Sequence, residues 1–433
     1  MNSRVSEKEC STLSNIYTAL ITILPITSVY AVPFLSAVSL GELLLILLIP
    51  LMLIVQVKKG TRLNLKNPLL IYLFYAFVST MFASTLLQIV YNDYDISNMI
   101  FRVVRDLFYF LLILLWGKDF FNFTVGKKIL MRISKVASIF MIIQFVVYQF
   151  FNISIPGYIP GIKTTISGGI LSNELVDKFL NTALQDGYLR VYGFFSEPAA
   201  AAQFLSVALL LIFFFAESNR IDFKWAIILS VAIVLTFSVS GYITLIFCWG
   251  IMFIKAKKSK NTKNICIIIA AFLCLLVPFA LVNDNIKGVF LRLVSLFNGE
   301  NTQNSAALRV LRGPAFFLDM PLVYQIFGSG FGNFDDFKAA YMINTVYEQT
   351  TEYLNTNAYV AISSGVIGLL LYIRGIWKNT KGKRFFAKTV ALLVFLLGFA
   401  CSLYSSPIYV IYLLLIINCP KEGVLYDKHN NIA

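Results

Sequence analysis

The chain has 433 residues, of which 58% are hydrophobic, 15% aromatic and only 13% charged, and its mean hydropathy is +0.77. Soluble domains are about 45–50% apolar and about 25% charged, so this composition excludes a water-soluble enzyme and a disordered chain. A net charge of +14 would suggest a nucleic-acid partner in a soluble protein. In a membrane protein, its meaning depends on the side of the membrane on which the charges lie.

The apolar stretches predict an all-α polytopic membrane protein that forms a single integral membrane domain over residues 1–433. A membrane span needs about 17–25 mostly apolar residues, and its backbone must be hydrogen-bonded internally. Positive charges flank both ends of 223–254, which favours the same side of the membrane for both ends. We therefore expect two passes there that meet at an outer turn around 238–241. About twelve spans result, at 16–34, 36–57, 69–91, 107–121, 133–152, 199–216, 223–238, 242–254, 265–282, 354–377, 390–404 and 407–417.

The basic residues set the orientation of these spans. With both termini in the cytoplasm, 26 of the 36 basic residues are cytoplasmic, and eight of the other ten lie in two long external loops, 152–197 and 283–352. The net charge is therefore a topology signal, and it calls for no nucleic acid. Six of the ten external bases are arginine, against six of the 26 inside. The arginine side chain suits phosphate and carboxylate recognition, so we expect the functional site on the outer side.

The first cluster of interest is the segment 190–198, which leads directly into a predicted helix. Pro198 fits the first helical turn, and Glu197 beside it has a structural interpretation as a capping carboxylate. Arg190 lies eight residues before the helix, and no such structural role explains it. Tyr192 adds an aromatic surface that could pack on a ligand.

Two further clusters follow in the second half of the chain. Arg309 and Arg312 are three residues apart and share a face if this stretch is helical. Such a helix could also lie in the membrane interface, with its arginines reaching lipid headgroups. The glycines at 328–332 could form either a tight turn or a phosphate cradle. Asn357, followed by the glycines at 365–368, stands at the outer end of the tenth span, where polar residues often pack helices together.

These three landmarks, in this order, resemble the O-antigen polymerase (Wzy) family, which shares a superfamily with the O-antigen ligases. The resemblance covers roughly residues 190–370 and rests on Arg-x-x-Gly-x-x-x-Glu-Pro at 190–198, on Arg309 with the turn at 328–330, and on Asn357 with Gly-x-x-Gly at 365–368. Ligases of the superfamily generally carry a histidine near the third landmark. The only histidine here is His429 in the C-terminal tail, which favours the polymerase.

The resemblance implies a metal-independent glycosyl transfer, without a cofactor, outside the bacterial cytoplasmic (inner) membrane. A growing chain on undecaprenyl pyrophosphate would be transferred to a new lipid-linked repeat unit, giving an O-antigen or a capsular-type polysaccharide. Arginine would stabilise the pyrophosphate leaving group, and a carboxylate would accept the proton of the acceptor hydroxyl. The expected catalytic residues are Arg190, Arg309 and Glu197, with Asp319 and Asp336 as alternative bases, and the expected substrate-binding residues are Arg312, Arg292, Tyr192 and Asn357.

The implied partners are the lipid-linked oligosaccharide, membrane lipids, a chain-length regulator and a flippase. The alternative functions are a flippase or transporter, or an O-antigen ligase. Transporters place ionisable groups inside the membrane, and Glu42, one third of the way into its predicted span, is either such a group or a hydrogen-bonded structural acid. Arg102, Arg105 and Asp106, at the outer start of the fourth span, are expected to form ion pairs inside the protein. The long external loops favour an enzyme.

Overall fold

The computed structural model describes residues 2–32, 35–59, 67–159, 162–166, 169–170, 189–215, 222–256, 305–343 and 354–422, which are mostly helical. A π-helical stretch, Leu112–Trp116, joins α4 to α5. The elements, in chain order, are α1 (Asn2–Thr27), β1 (Ala31–Val32), β2 (Leu35–Ser39), α2 (Leu40–Lys59), α3 (Pro68–Val90), α4 (Ile96–Leu111), α5 (Gly117–Phe120), α6 (Phe123–Phe151), β3 (Thr165–Ile166), β4 (Gly169–Ile170), α7 (Pro198–Phe214), α8 (Phe223–Leu235), α9 (Val239–Ala256), α10 (Ser305–Asp319), α11 (Leu322–Phe327), α12 (Phe334–Ala340), α13 (Thr356–Lys378), α14 (Phe385–Ala400) and α15 (Pro407–Asn418).

Four helices in the described part of the chain, α2, α3, α6 and α13, are long and apolar enough to cross a membrane. Shorter apolar helices of 10–17 residues, among them α7, α8, α9, α14 and α15, accompany them. Helices occupy eleven of the twelve predicted spans, and the remaining stretch, 265–282, lies outside the described residues. A helical membrane protein is therefore supported, whereas the count of twelve spans and their orientation stay predictions.

Local sequence explains where several helices begin. The side chain of Asn67 caps α3 by accepting the Leu69 N–H, and Pro68 occupies the first helical position. Ser406 and Pro407 do the same at the start of α15. An oxygen-bearing cap satisfies an unpaired N–H group, and proline has no N–H to leave unpaired there.

The second predicted span begins later than expected, and the reason is a capping box at Ser39. The Ser39 N–H donates to Glu42 Oε2 at 2.8 Å, and the Glu42 N–H donates to Ser39 Oγ at 3.3 Å. These reciprocal bonds start α2 at Leu40. Glu42 consequently lies in the first turn of its helix, and the prediction that it lies one third of the way along is wrong.

Short strands correct the expectation of a purely helical chain. The strands β1 and β2 pair antiparallel between α1 and α2, and β3 and β4 pair within the predicted first external loop. The two regions are in contact, since the Ala31 N–H donates to the Lys163 carbonyl at 2.9 Å and the Thr165 N–H to the Val29 carbonyl at 2.6 Å. Part of the first loop thus packs on the connection between the first two helices.

The predicted division of residues 223–254 into two helices is confirmed. The break falls at 236–238, slightly earlier than expected, between α8 and α9. The two helices fold back on each other, because the Trp249 indole N–H donates to Ser230 Oγ at 3.0 Å. Both pack on α7, in which Ala201–Phe213 are buried and which forms the centre of the bundle with α15.

A glycine-rich turn at 328–333, named the glycine turn from here on, repairs a break in α13. At Gly365 the backbone leaves the helical conformation with φ +66°, which frees the carbonyls one turn before it. The N–H groups of Ser329 and Gly330 donate to the carbonyls of Ile362 and Ser363, each at 2.9 Å. The turn therefore replaces the hydrogen bonds that α13 loses, and buried backbone groups stay paired.

The glycine turn also contacts the middle of α3. The Phe331 N–H donates to Oγ1 of Thr80, the thirteenth of the 23 residues of α3, at 3.0 Å. The buried Asn333 side chain donates to Ser84 Oγ at 2.9 Å and accepts from the Tyr94 hydroxyl at 2.9 Å. This part of the predicted loop 283–352 thus lies between α3 and α13, and the external location of the loop stays a prediction.

Candidate functional site

Residues 189–197, named the arginine segment from here on, run across the end of α6 before α7 begins. The buried Gln144 side chain of α6 holds the segment in place, because its Oε1 accepts the Gly193 N–H at 3.0 Å. Its Nε2 donates to the Ile155 carbonyl at 2.9 Å, which ties the residues after α6 to the same point. Gly193 has φ +62°, a conformation that favours glycine. Gln144 was not among the sequence candidates.

Arg190 is half-buried and lies at the C-terminal end of α8. Its Nε donates to the Thr236 carbonyl at 3.5 Å, and the neighbouring Val191 N–H donates to the Leu235 carbonyl at 3.4 Å. A cation at the C-terminal end of a helix interacts favourably with the helix dipole. Arg190 therefore has a structural role that its sequence position did not indicate, because the partner is 46 residues away.

Glu197 is the N-terminal capping residue of α7, and Pro198 occupies the first helical position as predicted. The Glu197 side chain is exposed and makes no capping hydrogen bond to the first turn. Its carboxylate is thus not used in the structural role that the sequence suggested. It stands in the same segment as Arg190.

Tyr192 is buried, and its hydroxyl accepts the Gly157 N–H at 3.3 Å. Burial raises the pKa of the Tyr192 hydroxyl to about 12, so it stays protonated at neutral pH. This residue fastens the arginine segment to the residues after α6, and its predicted contact with substrate finds no support. Phe194 stacks on Phe140 with centroids 4.6 Å apart, and Phe195 is buried in the core.

The stretch around Arg309 and Arg312 is helical, as predicted, and forms α10. Arg312 is buried, and its guanidinium lies 5.7 Å from the centre of the Phe334 ring. Burial lowers the pKa of Arg312, and the carboxylate of Asp335 opposes this shift. The side chain of Arg309 and all of Arg292 lie outside the described residues.

Asn357 packs two helices together. Its Nδ2 donates to the Phe395 carbonyl of α14 at 3.2 Å, and its side chain lies against Gly398, leaving no room for a larger residue. These contacts give Asn357 a role in helix packing, and its role in substrate binding stays a prediction. Of the alternative bases, Asp319 is exposed at the end of α10, and Asp336 is half-buried, which raises its carboxyl pKa.

The contacts place Arg190 and Arg312 at the same end of the bundle. Arg190 precedes α7, and Gln203 in the second turn of α7 donates to the sulfur of Cys401 at 3.2 Å. The Cys401 carbonyl accepts from Thr356, at the start of α13, at 3.0 Å. Gly313 of α10 is the residue after Arg312. It packs against Ala358, which lies in the same turn of α13 as Thr356. Three sequence landmarks thus surround the N-terminal ends of α7 and α13.

A polar cluster lies inside the bundle beside this end. The Arg102 Nε lies 2.8 Å from the Tyr359 hydroxyl, to which it donates, and 3.7 Å from Asp106 Oδ1. The Ser405 hydroxyl also donates to Asp106 Oδ1. Tyr404, next to Ser405, shares a hydrogen bond of 2.9 Å with the Tyr72 hydroxyl. The predicted internal pairing of Arg102 with Asp106 is confirmed.

Arg105 pairs in the opposite direction, toward the start of α2. Its Nη2 lies 3.8 Å from Glu42 Oε1, which also accepts from the Tyr109 hydroxyl at 2.6 Å. Of the two interpretations of Glu42, these bonds support the structural acid. Both arginines lie within α4, which begins eleven residues earlier than the predicted fourth span.

No protein-family model matches this chain, and no curated protein matches it at a significant level. In the described part of the chain, no group of three or more His, Cys, Asp or Glu side chains could hold a metal ion. The site is therefore defined by its own residues: the arginines at one end of the bundle, the exposed carboxylate of Glu197 and the polar cluster beneath them.

Proposed function

We propose that this protein is a membrane glycosyltransferase that polymerises undecaprenyl-pyrophosphate-linked oligosaccharide repeat units on the outer face of the bacterial cytoplasmic membrane. The observation that carries the proposal is the placement of Arg190 and Arg312 at one end of the bundle, around the starts of α7 and α13. The resemblance of the same segments to the O-antigen polymerase family also supports it. The finer topology of twelve spans with cytoplasmic termini belongs to the proposal.

The chemistry requires cations where negative charge develops. In the transfer, the bond between the anomeric carbon and the pyrophosphate oxygen breaks, and its electron pair stays on the pyrophosphate. Positioned guanidinium groups stabilise that charge, and Arg190 and Arg309 have this role in the proposal, with Arg312 beside them. Arg190 is held by the C-terminal end of α8, which fixes its position before the substrate binds.

The acceptor sugar supplies the new bond. Its hydroxyl oxygen bonds to the anomeric carbon, and its proton passes to a carboxylate. Glu197 suits this step because its side chain is exposed, makes no capping hydrogen bond and lies in the arginine segment. Tyr192 and Gln144 then act as positioning residues for the segment rather than as groups that touch substrate.

The test is polymerisation by the purified full-length protein, reconstituted with fluorescent lipid-linked repeat units and analysed on a gel. Arg190→Ala and Arg309→Ala are each expected to slow chain growth by about 10²-fold, the effect of removing one electrostatic stabiliser. Arg374→Ala is the matched control, because Arg374 is exposed near the far end of α13. Arg190→Lys keeps the charge at the end of α8 and separates loss of folding from loss of catalysis.

Long chains from both alanine variants at normal protein levels would contradict the assignment. Loss of growth in Arg374→Ala as well would show that the assay reports a general defect.

A transporter of lipid-linked oligosaccharide is the second candidate function, and one observation favours it. The helix α13 is broken at Gly365, and discontinuous helices form substrate sites in many transporters. Here, however, the glycine turn hydrogen-bonds the carbonyls that the break frees, so they are not offered to a ligand. Translocation of the repeat unit by the reconstituted protein, without chain growth, would support the transporter and contradict the polymerase.

A further inference from the structure

The proposed transfer brings together two lipid-linked substrates, and each of them carries its own pyrophosphate. The growing chain leaves its pyrophosphate when the sugar bond breaks, whereas the acceptor repeat unit keeps its pyrophosphate throughout. The acceptor hydroxyl is on the terminal sugar, at the opposite end of the oligosaccharide from the lipid. Two separate anion sites are therefore expected. Arg190, Arg309 and Arg312, named the donor arginines from here on, account only for the site at the leaving group.

A second pair of arginines, Arg102 and Arg105, lies on α4 and is named the α4 pair from here on. The two residues are three apart, which places them about one turn apart on the helix. The Arg102 side chain is 30% exposed and the Arg105 side chain 46% exposed. Their acid partners, Asp106 and Glu42, are only 5% and 7% exposed. An anion that approaches from outside therefore meets the two guanidinium groups before the two carboxylates.

The Arg102 guanidinium is held at one edge and open at the other. Its Nε donates to the Tyr359 hydroxyl at 2.8 Å and faces Asp106 Oδ1 at 3.7 Å, and its central carbon lies 4.8 Å from the centre of the Tyr359 ring. In the described part of the chain, its two terminal nitrogens make no hydrogen bond, and neither of them is buried. A guanidinium fixed through Nε can present both terminal nitrogens to one phosphate, and such bidentate binding favours arginine over lysine.

The α4 pair lies at the same end of the bundle as the donor arginines but on a different helix. Tyr359, which holds the pair, is one turn after Thr356 in α13, and Thr356 is connected through Cys401 to Gln203 of α7. Arg190, by contrast, is held by the C-terminal end of α8. Two groups of arginines on different helices around one end suit two substrates whose reactive sugars meet and whose lipid ends stay apart.

The outer surface of α4 beside the pair is apolar. Phe101 and Val104, which adjoin the two arginines in the sequence, are 66% and 58% exposed. Apolar side chains at such positions are stabilised by hydrocarbon, and arginines among them reach polar headgroups at the membrane surface. A ligand that carries both a phosphate group and a hydrocarbon chain matches these two features together.

We propose that Arg102 and Arg105 bind the pyrophosphate of the acceptor, the incoming lipid-linked repeat unit, whereas the donor arginines act on the pyrophosphate of the growing chain. The inference rests on the proposed function, because it assigns a site to the second substrate of that reaction. The α4 pair binds and orients the acceptor and takes part in no bond that forms or breaks. Tyr359 and Asp106 are positioning residues for the Arg102 guanidinium.

The test measures transfer by the reconstituted full-length protein from a lipid-linked chain to either of two fluorescent acceptors. One acceptor is the repeat unit on a prenyl pyrophosphate whose anomeric oxygen is replaced by a methylene group, so that it cannot act as a donor. The other is the same repeat unit as a neutral alkyl glycoside with a hydrocarbon chain of similar length. The quantity compared is the ratio of the two transfer rates at equal, subsaturating concentrations. We expect the unmodified protein to favour the pyrophosphate acceptor by about tenfold or more, the effect of one charge-assisted hydrogen bond.

Variants at the two groups of arginines separate the two substrates. Arg102→Ala is expected to lower the ratio about tenfold, and Arg105→Ala to lower it by less, because the Arg105 side chain is the more exposed. Arg102→Lys keeps the charge beside Asp106 and loses the planar fork, so it is expected to fold normally and still lower the ratio. Arg190→Ala is expected to slow transfer to both acceptors equally. Arg374→Ala, on the exposed part of α13, is expected to leave both rates unchanged.

An unchanged ratio in folded Arg102→Lys and Arg105→Ala variants, with chain growth retained, would overturn the acceptor site and leave the proposed function standing. These two variants decide if Arg102→Ala fails to fold. A fall in the ratio for Arg190→Ala as large as that for Arg102→Lys would also overturn it, because both groups of arginines would then bind one substrate. Absence of transfer to either acceptor by the unmodified protein would contradict the proposed function itself.

Discussion

Two carboxylates, Glu42 and Asp106, pair with arginines of the same helix, α4, but their surroundings differ. Both oxygens of Glu42 are used, by Ser39, Tyr109 and Arg105. Asp106 uses only Oδ1, and its Oδ2 lies buried without a partner in the described residues. The Glu42 carboxylate is therefore hydrogen-bonded through both oxygens, whereas the Asp106 carboxylate is bonded through one, which makes the Asp106 site the less favourable of the two buried arrangements.

The largest effect is expected from Gly365→Ala. This substitution disturbs the glycine turn, which packs beside Asp106 through Phe331 and Tyr404. A Cβ at this position would lie 2.1 Å from the Ile326 carbonyl oxygen, and φ +66° with ψ −177° is a region that only glycine adopts readily. We expect the free energy of unfolding of the purified protein to fall by about 3 kcal/mol or more. The glycine turn would then be displaced.

Gly250→Ala in α9 is the matched control, because a Cβ there meets nothing within 4 Å. It is expected to leave stability unchanged or to raise it by up to about 1 kcal/mol. A small effect of Gly365→Ala would show that the break in α13 does not need glycine.

Neutralising each carboxylate in turn tests the difference between Glu42 and Asp106. Glu42→Gln weakens three charge-assisted hydrogen bonds, two from Ser39 and one from Tyr109. Each substitution also removes one ion pair, with Arg105 for Glu42 and with Arg102 for Asp106. Because Asp106→Asn weakens one hydrogen bond, from Ser405, instead of three, we expect Glu42→Gln to lower the free energy of unfolding by about 2 kcal/mol more than Asp106→Asn does. Thermal unfolding of the two variants side by side measures the difference. Equal costs would contradict the distinction between a carboxylate bonded through both oxygens and one bonded through a single oxygen.

The smallest effect is expected at the cap of α2. Ser39→Ala removes the oxygen that accepts the Glu42 N–H and the hydroxyl that donates to its carboxylate. Loss of a capping side chain costs about 1 kcal/mol. The exposed Ser402 supplies the control, and Ser402→Ala is expected to leave the unfolding temperature unchanged. A neutral Ser39→Ala variant would mean that Arg105 and Tyr109 alone hold Glu42.

Local signals in the sequence predicted much of the fold. Pro198 and Pro407 marked helix starts because their effect depends on adjacent residues only. The pairing of Arg102 with Asp106 was predicted because these residues cluster at the start of a span, and the structure confirms it. The start of α2 was also a local signal, since Ser39 and Glu42 have capping-box spacing, but the apolar residues before Ser39 hid it.

Long-range contacts explain what the sequence could not indicate. The glycine turn meets Thr80, which is 251 residues away from Phe331, and the carbonyl that holds Arg190 belongs to Thr236. Neither contact can be predicted from the spacing of residues that are close in the sequence. The one available signal was the pair of serines before Gly365 in an otherwise apolar span, which indicates a helix whose hydrogen bonds are interrupted.

The docking of the glycine turn on α3 has a consequence for the order of biosynthesis. Ser79, Thr80 and Ser84 leave the ribosome in the first fifth of the chain, and their partners at 327–333 follow more than 240 residues later. Throughout that interval, these hydroxyl groups lack the partners that they have in the folded protein. The Thr80 hydroxyl stays hydrogen-bonded before Phe331 is made, because it donates to the Ala76 carbonyl of its own helix at 2.7 Å. The polar face of α3 is thus compatible with early insertion and still able to receive its partner late.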